Sequence, residues 1–323
     1  MSAMNFINDE VVDLRDLRYL AACCEEGSLT AAARRLLVGQ PTLSHALARL
    51  EQRVGEQLLE RPANRRAGVR PTAAGKLLWA RARAVAAELA GMREDLAALH
   101  GVVRGDLQIA SIQSLNATLL PGPLARFATA HPGVGLTLRT LASDEVPEAV
   151  REGRVDLGFL AGAASAPVAG LTVAGMTVDG LNIAVLAREA FVVLVRSDDH
   201  LANEEVVSLK RLADRPMVLV PPDTPTGQVI FRACRQAGFT PRTVLFLESG
   251  EALRETVRAG LGCTILPEGY LPPHDVGLKA IRLVHPTPRR EVVVATRPGI
   301  ALSRAASAFL DEVKSALRST AKA

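Results

Sequence analysis

Leu14, Leu17, Leu20, Ala21 and Cys24 share one face of a helix drawn over Asp13–Glu26, with polar and charged residues between them. Gly27 ends that run, and Ser28 is placed to cap a second helix carrying Ala31, Ala32 and Leu36. The small side chains of Ala31 and Ala32 let another helix approach closely. Gly39 suits a tight turn. A third helix opens at Gln40, with Pro41 in its first turn, where a missing N–H costs nothing. Leu43, Leu47 and Leu50 form its apolar stripe, and Gln40, Thr42, Ser44, His45 and Arg49 its polar face. Further on, Leu78, Val85, Met92 and Leu99 recur every seven residues, and Ala82, Leu89 and Leu96 recur with an offset of four. This spacing predicts a proline-free helix over residues 72–100 with a heptad seam.

After a hinge-like GVVRG, strand and helix patterns alternate. Strands are predicted at Leu107–Ala110, Val134–Leu138, Asp156–Leu160, Val244–Leu247, Cys263–Leu266 and Val292–Thr296, with short β-rich runs at Phe191–Val195 and Met217–Val220. Helices are predicted at Leu119–Ala130, Asp144–Glu152, Thr226–Ala237, Glu251–Ala259 and Ser303–Leu317. Alternation of this kind predicts an α/β fold with a mostly parallel sheet. At 323 residues the chain exceeds what one core usually serves, so more than one domain is expected.

Charge sharpens the picture of the N-terminal part. The whole chain carries a net charge of only +4, yet Ser28–Lys76 holds nine basic and three acidic residues. A local basic surface is the footprint of a polyanion site. A helix with one apolar face and short donors and acceptors at its N-terminal end suits the major groove of double-stranded DNA. Arg65, Arg66 and Arg70 flank Gly68 in a stretch that reads as a basic wing against a minor groove or phosphates. Thr30 and Arg34 join these as DNA-binding candidates. The seam residues Leu78, Val85, Leu89, Met92, Leu96 and Leu99 read as a dimerisation surface, and two-fold symmetry then calls for a pseudo-palindromic DNA site.

The run GSLTAAARRLLVGQPTLSHALARLEQRVGEQLLER followed by GVRPTAAG resembles the N-terminal domain of LysR-type transcriptional regulators. The shared features are a Gly-Ser cap, paired alanines, Gln-Pro opening the third helix, Ser four residues after Gln, Leu-Glu at its end and Thr-x-x-Gly after the wing. Gly39 stands where the family usually has serine, His45 where arginine is frequent, and the PANRRAG wing is longer than usual. These departures bear on base preference rather than on DNA binding. LLPGPLARFATAHPGVGLTL, EGRVDLGFL, RAGLGCTILP and SRAASAFLDEV resemble the family's effector domain more loosely.

The resemblance implies a winged helix-turn-helix over 12–71, a linker helix over 72–100 and, over 105–323, a two-lobed α/β domain like a periplasmic binding protein. It puts lobe 1 at about 105–168 and 275–323 and lobe 2 at about 169–274. It also implies a homodimer or homotetramer, contact with RNA polymerase, and a small-molecule effector in the cleft between the lobes. In α/β sheets ligands gather beyond the carboxyl ends of strands, at helix starts. Hydroxyls cluster in three such places, giving Ser111, Gln113, Ser114, Ser143, Pro222, Thr224 and Thr226 as effector-site candidates. Ser114, Ser143 and Thr224 match positions where the family often contacts effectors, although helix capping is the ordinary role of such residues. Small hydroxyls suit a small organic anion.

The sequence offers no cofactor and no enzyme signature: G-x-S-x-G, HExxH and P-loop motifs are missing, as is G-x-G-x-x-G after a strand. Four cysteines without metal-ligand or CxxC spacing read as reduced thiols of a cytoplasmic protein. No apolar run is long enough for a membrane span, and the acidic start does not read as an export signal. A constitutive DNA binder without effector and a pure solute-binding module are the competing readings.

Overall fold

The computed structural model describes residues 12–60, 68–98, 105–163, 177–178, 180–271 and 276–320. Its contacts divide the chain into two units, Met1–Arg93 and Glu94–Ala323.

The first unit begins with α1 (Leu14–Glu26), α2 (Leu29–Leu36) and α3 (Gln40–Val54). The hairpin β1 (Leu59–Glu60) and β2 (Arg70–Pro71) follows, and then α4 (Ala73–Ala98), which runs on past the unit boundary. Local chemistry sets the boundaries. Asp13 accepts from the Asp16 N–H at 2.8 Å and starts α1, and Gly27 ends it in the left-handed region at φ 60°. Ser28 Oγ accepts from the Ala31 N–H at 3.4 Å and caps α2, as its position predicts. The turn into α3 corrects the sequence expectation. Its left-handed residue is Leu37, at φ 57°, whereas Gly39 is extended at φ −66°.

Leu20, Cys23, Ala32, Leu43, Leu47 and Leu50 close the core of this unit. Asp16, buried at its edge, pairs with Arg53 and ties α1 to α3. The Glu51 carboxylate accepts from the N–H groups of Leu58 at 2.8 Å and Leu59 at 3.1 Å, anchoring the hairpin to α3. Thr72 starts α4: its hydroxyl accepts from the Gly75 N–H at 3.0 Å and donates to the Gln57 carbonyl at 2.6 Å.

The second unit opens with β3 (Gly105–Ser111), α5 (Gln113–Thr118), α6 (Pro121–Ala130), β4 (Val134–Thr140), α7 (Glu145–Arg151) and β5 (Leu157–Ala163). β6 (Thr177–Val178), β7 (Leu181–Arg196), β8 (Val206–Ser208), β9 (Pro216–Leu219), α8 (Pro225–Gln236) and β10 (Arg242–Phe246) come next. α9 (Gly250–Arg258), β11 (Thr264–Pro267), β12 (Leu278–Val284), β13 (Arg289–Thr296) and α10 (Arg304–Thr320) complete it.

The long strand β7 decides the architecture. Its residues Asn182–Ala190 pair with β13 in the order β4-β3-β5-β13-β7. Its residues Phe191–Arg196 pair with β11 and β12, and β12 pairs in turn with β8. One strand therefore runs through both lobes. The passages between lobes fall at Ala190–Phe191 and between Val284 and Arg289, not near 168 and 275 as the resemblance implied. Residues 278–284 belong to lobe 2, because the β12 backbone is already committed to β7 and β8 there.

The sheet is mixed rather than mostly parallel. β3 lies parallel to β4 and β5, but β13 is antiparallel to both β5 and β7, and β11 and β12 are antiparallel to β7. In lobe 1 helices cover both sheet faces, so alternate residues of one strand enter different cores. Val292 and Val294 meet Phe127 and Phe309, while Val293 and Ala295 meet Val146 and Ala149. Lobe 2 closes on Phe191, Val193, Val218, Ile230, Leu253 and Ile265. Residues 164–176, within the long Gly162–Gly180 stretch, lie outside the described residues.

Candidate functional site

Two surfaces carry the candidate residues. On the first unit, α3 buries Leu43, Ala46, Leu47 and Leu50 and exposes Gln40, Pro41, Thr42, His45 and Arg49. Ser44 is half-buried between the two faces. Gly39 brings no side chain to cap the helix, so the positive end of α3 is left to its own backbone N–H groups. Thr30 and Arg34 are exposed on α2.

Arg70 is exposed at the root of the wing, where it pairs in register with Glu60. The root is held by a hydrogen bond from the Val69 N–H to the Gly27 carbonyl at 2.8 Å. Gly68 is needed there: a Cβ would stand 2.4 Å from that same carbonyl oxygen, and φ is 71°. Arg65 and Arg66 lie outside the described residues.

The heptad seam on α4 divides. Leu78 is half-buried and packs against the core of its own unit, and Ala82 is buried. The first turns of α4 are needed to cover α1 and the hairpin. Val85, Leu89 and Met92 are exposed. Val85 and Leu89, with Leu14, Leu17, Ala21 and Leu36, line an apolar groove of about 470 Å³ between α1 and α4. The side chain of Leu96, and Leu99 altogether, lie outside the described residues.

On the second unit a cleft of about 410 Å³ opens between the lobes. Gln113, Ser114 and Ser143 line it from lobe 1, and Thr224 and Thr226 from lobe 2, five of the seven sequence candidates. Ser111 does not line it: the residue is buried at the end of β3, and its hydroxyl donates to the Ile112 carbonyl at 3.3 Å. Pro222 is exposed on the loop before α8 and lies off the cleft wall. The capping alternative holds for Thr224, whose hydroxyl accepts from the Gly227 N–H at 3.0 Å and donates to the Pro221 carbonyl at 2.7 Å. It fails for Ser143. That residue caps nothing, and its hydroxyl oxygen is buried without a partner among the described residues.

Thr140, Glu248 and Tyr270 also line the cleft and were not singled out in the sequence. Glu248 follows β10, so the rule that ligands gather beyond strand ends pointed to it; nothing local marked Tyr270. Behind the wall sits Arg290, 1% exposed, on β13. Its Nε donates to Glu189 at 2.7 Å and its Nη1 to the Ser114 hydroxyl at 3.2 Å. Ser114 also bonds Tyr270. Burial pushes the Tyr270 phenol up from its ordinary value, against the pull of the neighbouring Arg290 charge and the Ser114 hydrogen bond. The Arg290–Glu189 pair joins the two strands, β13 and β7, at the passage between lobes. The described residues contain no group of His, Cys, Asp and Glu suited to hold a metal ion. No described helix is long and apolar enough to cross a membrane.

Comparison with known proteins covers both units. Residues 14–76 match the bacterial regulatory helix-turn-helix protein family of lysR type, and residues 100–318 match the LysR substrate binding domain. The chain is 32% identical over 315 residues to the RuBisCO operon transcriptional regulator of Allochromatium vinosum, covering 94% of this chain and 96% of that protein. It is 28% identical over 290 residues to the DNA-binding transcriptional dual regulator OxyR of Escherichia coli K12, covering 89% and 90%. Among solved structures, a full-length OxyR variant from Pseudomonas aeruginosa superposes with a TM-score of 0.73 at 24% identity, covering 94% of this chain and 95% of that one. Full-length CbnR in complex with its target DNA gives 0.60 at 22% identity, covering 94% and 100%. These relatives are transcription regulators, not enzymes, and the chain belongs to the LysR family of bacterial transcriptional regulators.

Proposed function

We propose that this regulator reads a pseudo-palindromic DNA site as a dimer and is switched by a small molecule bound between the lobes of its second unit. The observation that carries the DNA reading is the division of α3. Leu43, Ala46, Leu47 and Leu50 dock it, and Gln40, Thr42, His45 and Arg49 are left at the surface, Gln40 and Thr42 in its first turn. Gln40, with Ser44, reads base edges, and Thr30, Arg34, Arg49, Arg65, Arg66 and Arg70 hold phosphates. Val85, Leu89 and Met92 on α4 supply the partner surface. This work takes place in the cytoplasm, where the DNA is.

Effector binding works by linkage. A ligand that holds the lobes differently alters subunit packing, and with it the spacing or bend imposed on the DNA. β7 and β13 carry this coupling within the second unit, since both run up to the passage between lobes beside the cleft.

Fluorescence anisotropy on a duplex from upstream of the regulator's own gene, against a scrambled duplex, tests the proposal. Tight binding to the first that weakens steeply between 50 and 200 mM salt is expected, as several phosphate contacts demand (on the order of a thousandfold for six or more). Arg65→Ala and Arg66→Ala should weaken both duplexes alike and flatten the salt slope by about one unit each. Leu89→Glu should shift the sedimentation coefficient to that of a monomer. Equal affinity for both duplexes in the unaltered protein would overturn the reading.

A further inference from the structure

The cleft walls are rich in hydroxyls, but most of those groups are already engaged. Thr224 caps α8, and Ser114 accepts from Arg290. Thr140 accepts from the Asn116 amide at 2.8 Å and keeps its own proton to give. Ser143 is half-buried, and its hydroxyl oxygen is buried and unpartnered among the described residues, an arrangement that is costly unless something fills it. Thr226 sits at the second position of α8, a helix of twelve residues whose first residue, Pro225, has no N–H to offer. Tyr270 bonds Ser114 within the same wall. Ser143, Thr140 and the positive end of α8 therefore offer donors to a negatively charged oxygen.

The charge of the walls says something different. Among the described lining residues the only ionised side chain is the Glu248 carboxylate; no lysine or arginine reaches the cleft. The Arg290 guanidinium behind it is matched by Glu189 and adds no net charge. A ligand that is only an anion meets donors on one side and a like charge on the other.

Taking the cleft as the effector site, as the preceding reading does, we propose that the effector is a compact zwitterion with one carboxylate and one ammonium group, the class to which free amino acids belong. Ser143, Thr140 and the start of α8 receive the carboxylate, and Glu248 receives the ammonium group. The cavity, at about 410 Å³, lies within the range of small-molecule sites.

The test is thermal shift followed by titration calorimetry on the full chain, with three matched panels. These are the twenty common amino acids, their N-acetyl derivatives, which lack the positive charge, and their amides, which lack the negative one. At least one free amino acid is expected to raise the melting temperature, and both capped forms of it should bind at least tenfold more weakly. Glu248→Gln should lose tenfold or more for the free amino acid while binding its N-acetyl form no worse. Ser143→Ala should weaken both, with unchanged circular dichroism in each variant. An N-acetyl form that binds as well as its parent, an unaltered Glu248→Gln affinity, or silence from every free amino acid overturns the zwitterion. The effector reading fails separately: it is overturned if a bound amino acid leaves DNA affinity and footprint unchanged.

Discussion

The base-reading face and the cleft are built in opposite ways. The polar positions of the first come from one helix of fifteen residues, spaced by that helix's own period. The walls of the second come from positions as far apart as Ile112 and Tyr270, brought together because β7 pairs with one lobe through its first half and with the other through its second. A face on one helix survives most changes elsewhere in the sheet. A cleft assembled from loops at strand ends depends on every strand that sets those loops.

Two glycines turn this contrast into an experiment with the largest expected effects. A Cβ at Gly75 would stand 2.0 Å from the Leu58 carbonyl oxygen, and one at Gly227 would stand 2.0 Å from the Pro221 carbonyl oxygen. Both obstacles are backbone, so neither can swing aside. Each alanine substitution should cost about 3 kcal/mol, the upper part of the range for overpacking, measured by urea unfolding. Gly75→Ala should shift the hairpin root and abolish specific DNA binding while ligand-induced stabilisation survives. Gly227→Ala should do the reverse. Loss of both activities in both variants would break the comparison.

The same contrast explains what the sequence made legible. The three N-terminal helices, the Ser28 cap and the exposed face of α3 follow from periodicity and capping within short windows. Leu78 shows the limit of such a window: a heptad position looks the same whether it faces a partner or, as Leu78 does in part, its own core. Asp16 escaped notice for a similar reason: on a helix with charged neighbours, a buried acid has no distinguishing mark. In the second unit, the apolar half of β7 read as a strand, but Leu181–Ala190 carries Asn182, Arg188 and Glu189 and did not. In β12, LKAIRLV, the polar residues Lys279 and Arg282 stand three apart and hide the period of two, which displaced the lobe boundary. Tyr270 reaches the cleft only through tertiary packing, with Gly250 beneath its ring leaving no room for a Cβ.

Buried charge in the second unit gives the next effect. Replacing Arg290 with Met leaves Glu189 without its partner and should cost about 3 kcal/mol, the lower end for a broken buried pair, since the Glu189 side chain keeps 16% exposure. Adding Glu189→Gln should recover most of that loss. A single variant within about 0.5 kcal/mol of the unaltered protein would show that the pair does not hold the strands at the passage between lobes. On α3, Gln40→Ala should cost about 1–3 kcal/mol on the specific duplex and almost nothing on a scrambled one. Its stability should be unchanged, because Gln40 is exposed. Equal loss on both duplexes would remove base reading from this residue and leave it as a phosphate contact.

The smallest expected effect is shared by the two regions. Here Cys23, Cys234 and Cys263 are buried and Cys24 is half-buried, and none of the four lines the cleft. Burial pushes the thiols of Cys24 and Cys234 up to about 12 and that of Cys263 to about 11. Oxidation proceeds through the thiolate, and at pH 7.5 fewer than about one such group in a thousand is ionised. Peroxide should therefore leave DNA affinity unchanged within about twofold, and maleimide should label the native protein slowly until urea unfolds it. A peroxide response that vanishes when the four cysteines are replaced by serine would move the regulatory input from the cleft to a thiol. With no such response, small-molecule occupancy of the cleft stands as the input, because the cleft wall holds the buried, unpartnered Ser143 hydroxyl while no cysteine lines it.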